Sequence, residues 1–186
     1  MRIISGLMRG TKLYTLEGEN TRPTLDRVKE ALFSKINFDL EHAIVLDLFS
    51  GSGALALESI SRGAKHAYMC DSSREAIKVI EQNVEKTRTK DKVTIMNTDY
   101  KNALGLCIKD KIVFDIVFLD PPYKTDYAEH AAKIIMENNL ISDTGFIVLE
   151  TDDKDKVING LDNNLLQITD IKKYGRVFLL FLSRKG

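Results

Sequence analysis

The stretch Asp47-Leu48-Phe49-Ser50-Gly51-Ser52-Gly53, residues 47–53, decides the fold. An apolar run, Ala43 to Leu48, leads into it, and Ala54 to Arg62 follows with helical period. Glycines between a strand and a helix let a ligand approach backbone amides closely, at the helix end that attracts negative charge. Gly51 to Ala56 satisfies the G-x-G-x-x-A fingerprint, and Asp71 stands 20 residues after Gly51 at the end of the next apolar run. That spacing suits a carboxylate holding ribose hydroxyls. NAD and S-adenosylmethionine both carry such a ribose, so the pair alone leaves both open. Asp47 separates them, because a carboxylate there faces a diphosphate unfavourably and suits a methionine ammonium.

Outward from residue 43, short β-branched runs alternate with longer helical patterns, as in a parallel sheet covered on both faces. Strands are expected at Ala43–Leu48, His66–Cys70, Lys92–Met96, Ile112–Leu119 and Gly145–Glu150, with helices at Ala54–Arg62, Ser73–Thr87 and Ala128–Asn138. Ile77, Ile80 and Val84 share one face of the second, and Ser72 or Ser73 caps its start. Leu166–Tyr174 and Arg176–Leu182 flank Gly175 with no room for a crossover, so they pair as an antiparallel hairpin. This α/β layout resembles the Rossmann-like, mostly parallel seven-stranded sheet of class I methyltransferases. Before it, Arg2–Ser5 and Lys12–Leu16 around the Gly6–Gly10 turn suggest a small N-terminal β-appendage, residues 1–22. Thr24–Ile36 reads as a helix that opens a single compact domain, residues 23–186.

At 186 residues with 44% apolar and 29% charged side chains, the chain suits one globular core. No apolar run approaches the roughly 20 residues that cross a bilayer, and the N-terminus lacks a signal-peptide core, so a cytoplasmic location is expected. Cys70 and Cys107 lack metal or disulfide spacing and read as buried thiols; the three histidines lie apart, so no metal site is expected. The net charge is zero, but residues 1–35 carry +3, residues 110–170 carry −8 and residues 171–186 carry +5. Such segregation leaves room for a cationic face toward phosphate.

The apolar run Ile116–Leu119 ends in Asp120-Pro121-Pro122-Tyr123. Ligands of open α/β sheets bind at carboxyl ends of strands, so this tetrapeptide is expected beside the glycine turn. The exocyclic amine of a base is a poor nucleophile because its lone pair is delocalised into the ring. It needs acceptors that take up developing positive charge. Asp120 supplies one and the Pro121 carbonyl, held by two rigid rings, a second, while Tyr123 offers a face on which a flipped base stacks. The methyl then passes in line to the amine, and positioning supplies much of the rate. Asp99, just past the third strand, suits the adenine amine of a nucleoside, with Tyr100 packing on the ring.

Thr21 to Phe33, T-R-P-T-L-D-R-V-K-E-A-L-F, together with Val45 to Ala64, Phe118 to Tyr123 and the opening R-I-I-S-G-L-M-R-G, closely resembles the bacterial RsmD-type 16S ribosomal RNA (guanine-N(2))-methyltransferases. The resemblance spans essentially the whole chain. It implies S-adenosylmethionine as donor, S-adenosylhomocysteine as product, and one guanine of 16S ribosomal RNA as target, presented in a partly assembled small subunit; the sequence does not fix the oligomeric state, and a monomer is the expectation. It implies cofactor contacts from Asp47, Phe49, Ser50, Gly51, Gly53, Asp71, Ser72, Asp99 and Tyr100, with Arg22 and Thr24 nearby. It assigns Asp120, Pro121, Pro122 and Tyr123 to the base, and Arg2, Arg9 and Lys12 to phosphate. Two positions depart from the pattern: Asp71 stands where glutamate is more usual, and Val177 where threonine is expected. An adenine-N(6) methyltransferase shares the motif chemistry; a nicotinamide-dependent oxidoreductase or an inactive nucleic-acid-binding protein would share the fold.

Overall fold

The computed structural model describes residues 1–16, 23–122 and 125–186, with the side chains of residues 23–26 excepted. Helix α1 (Pro23–Lys35) comes first, then β1 (Ile44–Asp47), α2 (Ala54–Ser61), β2 (His66–Asp71), α3 (Arg74–Thr87) and β3 (Val93–Asn97). The second half runs α4 (Tyr100–Lys109), β4 (Phe114–Leu119), α5 (Tyr127–Glu137), β5 (Ile141–Thr151), α6 (Lys154–Gly160), β6 (Leu166–Tyr174) and β7 (Val177–Arg184). The seven strands form one sheet in the order β3-β2-β1-β4-β5-β7-β6. β7 is antiparallel to both of its neighbours, and every other pairing is parallel. This is the α/β Rossmann-like sheet with a C-terminal hairpin that the alternation and the Gly175 turn imply.

Alternating strand residues feed two cores. On one face Val45, Met69, Ile116, Phe118 and Val148 pack under α1, α2 and α3. On the other, Leu46, Val117, Leu119 and Leu149 pack under α4, α5 and α6. The strand order reverses between β1 and β4, so their carboxyl ends diverge into a crevice there. Among the described residues, no helix is long and apolar enough to cross a membrane.

Several elements differ from expectation for local reasons. Sequence periodicity misses α4 and α6 altogether, since each is short and opens on an aspartate that reads equally well as a loop residue. Asp99 and Asp153 are in fact their N-caps, accepting backbone N–H groups in the first turn. β5 begins four residues earlier than expected. Its pairing with β4 shifts register between Phe114 and Ile116, and an added Cβ at Gly145 would lie 2.9 Å from the Asp115 carbonyl oxygen. The expected N-terminal hairpin reduces to a single antiparallel bridge, Arg2 to Lys12.

That N-terminal segment is fastened by a buried charge cluster. Glu58, fully buried on α2, accepts from the Ile4 and Ser5 amides at 2.8 and 3.1 Å and pairs with Lys29 at 3.3 Å and Arg62 at 2.8 Å. Lys29 in turn donates to the Arg2 carbonyl at 2.6 Å. Asn83 of α3 bridges the same segment to the glycine turn, accepting from the Tyr14 amide and donating to the Tyr14 and Ser52 carbonyls. Ile3 and Leu13 then sit in the same core as α1 and α2. Removing one member of a buried ionic cluster strands its partners without counter-charge. Glu58→Gln should therefore lower unfolding free energy by about 3–5 kcal/mol; urea titration showing less than about 1 kcal/mol would mean the cluster does not anchor the segment.

Candidate functional site

A cleft of about 740 Å³ opens at the carboxyl ends of β1, β2 and β4. Its floor is the glycine turn. Gly51 and Gly53 take φ of +52° and +77°, the left-handed region where a side chain is strained. At Gly53 a Cβ would also meet the Met69 sulfur at 3.1 Å, so glycine lets the start of α2 sit against β2. The Gly51 amide donates to Asp71 Oδ2 at 2.9 Å, and the Ser73 amide to Asp71 Oδ1 at 2.8 Å. Asp71 thus ties the turn after β1 to the turn after β2. Each oxygen keeps a further lone pair for a ligand hydroxyl.

Asp47 lies at the bottom of this cleft, 1% exposed. Its Oδ2 has no hydrogen-bond partner among the described residues. Burial pushes its carboxyl up to about 7, assisted by the nearby Asp71 charge and opposed by hydrogen bonds from Ala56 and Ser50. An orphaned buried carboxylate costs several kcal/mol unless a cation or donor meets it. One wall is aromatic: Phe49 stacks near-parallel to Tyr127 with centroids 6.5 Å apart, and Tyr100 lies 5.7 Å from the former and 5.0 Å from the latter. Asp99, beside it, is held below the usual carboxylate range by hydrogen bonds from the Asn102 and Lys101 amides.

Asp120 and Pro121 follow β4 directly and line the same cleft with Pro122, whose carbonyl accepts from Thr125 Oγ1 at 2.8 Å. Of the positions singled out in the sequence, Asp47, Phe49, Ser50, Gly51, Asp71, Ser72, Asp99, Tyr100, Asp120, Pro121 and Pro122 come together here. Gly53 stands just behind the lining as the left-handed residue preceding α2. Arg22 and Tyr123, and the side chain of Thr24, lie outside the described residues. Arg2, Arg9 and Lys12 are exposed on the N-terminal segment and do not line the cleft. Cys70 and Cys107 are buried, and burial pushes their thiols up to about 12 and about 11, out of the range of nucleophilic thiolates.

Among the lining residues that the sequence reading does not single out are Lys29, Tyr127 and Glu150. Glu150 carried a usable signal. It ends an apolar strand next to β4, and the rule that places Asp120 at a strand's carboxyl end applies equally to β5. Burial pushes its carboxyl up to about 7. Tyr127 and Lys29 carried none, since their faces toward the cleft follow only from how α5 and α1 pack.

A family model described as conserved hypothetical protein 95 matches residues 1–183. The Ribosomal RNA small subunit methyltransferase D of Haemophilus influenzae is 36% identical over 157 residues, covering 84% of this chain and 80% of that protein. Its Escherichia coli namesake is 33% identical over 161 residues, covering 87% of this chain and 77% of that one. The solved structure of the Escherichia coli protein yhhF superposes with a TM-score of 0.83 at 28% identity, covering 100% of this chain and 98% of that one. The chain belongs to the conserved hypothetical protein 95 family, the family of the RsmD-type methyltransferases.

Proposed function

We propose that this protein is an S-adenosylmethionine-dependent ribosomal RNA methyltransferase that modifies the exocyclic N(2) amine of a guanine in 16S RNA within a partly assembled small subunit. The observation that carries the reading is the convergence, in one cleft, of the orphaned Asp47 carboxylate, the Asp71-braced glycine turn and the Asp120-Pro121 strand end. The relatives named for small-subunit RNA methylation support the substrate class.

The residues fit the cofactor. Asp47 would hold the methionine ammonium by charge at short range in a desolvated site, and Asp71 would accept from the ribose hydroxyls. Phe49, Tyr100 and Tyr127 form the flat wall against which adenine would pack, with Asp99 at its rim. Ser50, Gly51 and Ser72 complete the backbone around it, and Arg22 and Thr24 would add further cofactor contacts. When bound, S-adenosylmethionine supplies the methyl group on an electron-poor sulfonium.

This chain's part in the chemistry is to hold the acceptor amine in line. Asp120 and the Pro121 carbonyl accept from its two N–H bonds, which draws the nitrogen toward tetrahedral geometry, and Asp120 takes the proton lost as the N–C bond forms. Pro122 and Tyr123 would cover the base. Arg2, Arg9 and Lys12, exposed on the segment anchored by Glu58, would neutralise RNA phosphates at a distance from the chemistry. In this arrangement residues 1–22 serve as the RNA-facing appendage of a monomer whose domain spans residues 23–186.

Transfer of labelled methyl from S-adenosylmethionine to small-subunit particles, followed by nucleoside analysis, should yield N(2)-methylguanosine at one position; a product methylated only on adenine would overturn the base assignment. Asp120→Ala should lower turnover at least about a hundredfold, the scale of losing one positioned electrostatic group, while S-adenosylhomocysteine affinity changes little. Near-normal turnover would refute its role. Asp47 is protonated below about pH 7 and ionised above it, and only the ionised form attracts an ammonium. Affinity for S-adenosylhomocysteine should therefore rise about eightfold from pH 6 to pH 7.5 in calorimetric titration and flatten in Asp47→Asn. A pH-independent dissociation constant in the unaltered protein would remove Asp47 from ammonium binding.

A further inference from the structure

A second cavity, of about 300 Å³, lies behind the Asp120-Pro121-Pro122 wall. Pro121, Pro122 and Glu150 line both it and the main cleft. The volume is at the lower end of the range for ligand pockets. Its lining is unusually rich in acceptors, with Glu129, Glu150, Asp152 and Asp153 and, among the described residues, a single cation, Lys156, whose Nζ donates to the Thr125 carbonyl at 2.6 Å. One of these acids is deeply committed. Glu129, 7% exposed in the first turn of α5, has an Oε2 with no hydrogen-bond partner among the described residues. The side chains do not converge as metal ligands, since no group of three or more such residues is found among the described ones. The lining asks for a donor-bearing ligand edge.

Glu150 occupies the junction. In the parallel pairing of β4 with β5, Leu119 lies opposite Leu149. Asp120 and Glu150 are each one residue past that pair, at neighbouring strand ends, and both line the main cleft. An amine held at the wall and facing the main cleft leaves its ring on the other side, toward the second cavity. The two purines differ at that edge. Guanine presents its N1–H beside the N2 amine, two adjacent donors. Adenine presents N1 as a bare lone pair beside its N6 amine.

We propose that the second cavity receives the target base and that Glu150, by accepting from guanine N1–H beside the amine, is the residue that selects guanine over adenine. The inference rests on the guanine reading above. Once ionised, above about pH 7, a carboxylate opposite N1–H gains a charge-assisted hydrogen bond; opposite a ring lone pair it is left unpaired and repelled, and sites built this way reject the wrong partner strongly. Glu129 deepens the same preference by keeping the cavity hungry for donors.

The test uses small-subunit RNA assembled into particles with guanine or 2-aminopurine at the methylated position. 2-Aminopurine keeps the acceptor amine and lacks the N1 hydrogen. At pH 9, about two units above the value to which burial pushes the Glu150 carboxyl, the unaltered protein should prefer guanine by at least about 100-fold in kcat/KM. Glu150→Gln, whose amide can donate to N1, should bring that preference within about tenfold. Glu150→Asp, keeping the charge on a shorter arm, should lose rate but retain the preference. Two results overturn the proposal: equal use of both bases by the unaltered protein, which needs no variant to fold, or an undiminished guanine preference in Glu150→Gln. Failure of the underlying reading looks different, since then no methyl reaches guanine-bearing particles at all.

Discussion

The hydrogen bond from the Gly51 amide to the Asp71 carboxylate is the contact on which the cleft depends. It joins the carboxyl ends of β1 and β2, adjacent parallel strands whose following turns would otherwise move independently. Because Gly51 and Gly53 both sit in the left-handed region, the turn stays close to the sheet and leaves its amides exposed to whatever enters. The Ser73 amide on the other Asp71 oxygen extends the brace to the start of α3, and the Asn83 contact with Ser52 carries it toward the N-terminal segment. One carboxylate therefore sets the shape of a site built from many separate stretches of chain.

The site's electrostatics follow from topology. Parallel strands all point their carboxyl ends at the crevice, and here β1, β2 and β5 each end in or near an acid, as does the residue after β4: Asp47, Asp71, Glu150 and Asp120. Gathering four carboxyl groups costs free energy through desolvation and mutual repulsion. Asp47 and Glu150 answer by titrating near 7 instead of near 4. Such a site favours ligands that bring cations and hydrogen-bond donors, which is the reverse of the phosphate-binding use of a glycine turn. The buried Asp47 carboxyl gives the same backbone motif the opposite electrostatic preference.

The sheet was legible because its strands are buried on both faces and so read as continuous apolar runs with abrupt ends. The glycine turn, Asp71 and Asp120-Pro121 were legible because their spacing is set by strand length. What failed to show was anything fixed by packing between distant segments. The Glu58 cluster joins residues 29, 58 and 62 to the backbone of residues 2, 4 and 5, and no local pattern announces it. Asp99 has a second role that its spacing does not reveal: it lines the cleft and also caps α4, accepting two backbone amides and the Asn102 side-chain amide. A cap of this kind contributes about 1 kcal/mol. The position is thereby constrained whether or not a nucleoside arrives.

That double duty recurs through the cleft. Asp71 braces a turn and faces the ligand space, Lys29 neutralises Glu58 and lines the same space, and Glu150 closes a strand between two cavities. A residue held by structural contacts on one side arrives at the other with few rotamers left to lose, so ligand binding spends less free energy on ordering it. Positions that serve the fold and the ligand together are also the hardest to separate by mutation. Their effects divide where the ligand, not the protein, is altered along one edge, because the protein scaffold is then the same in both measurements and the change lies in the contact.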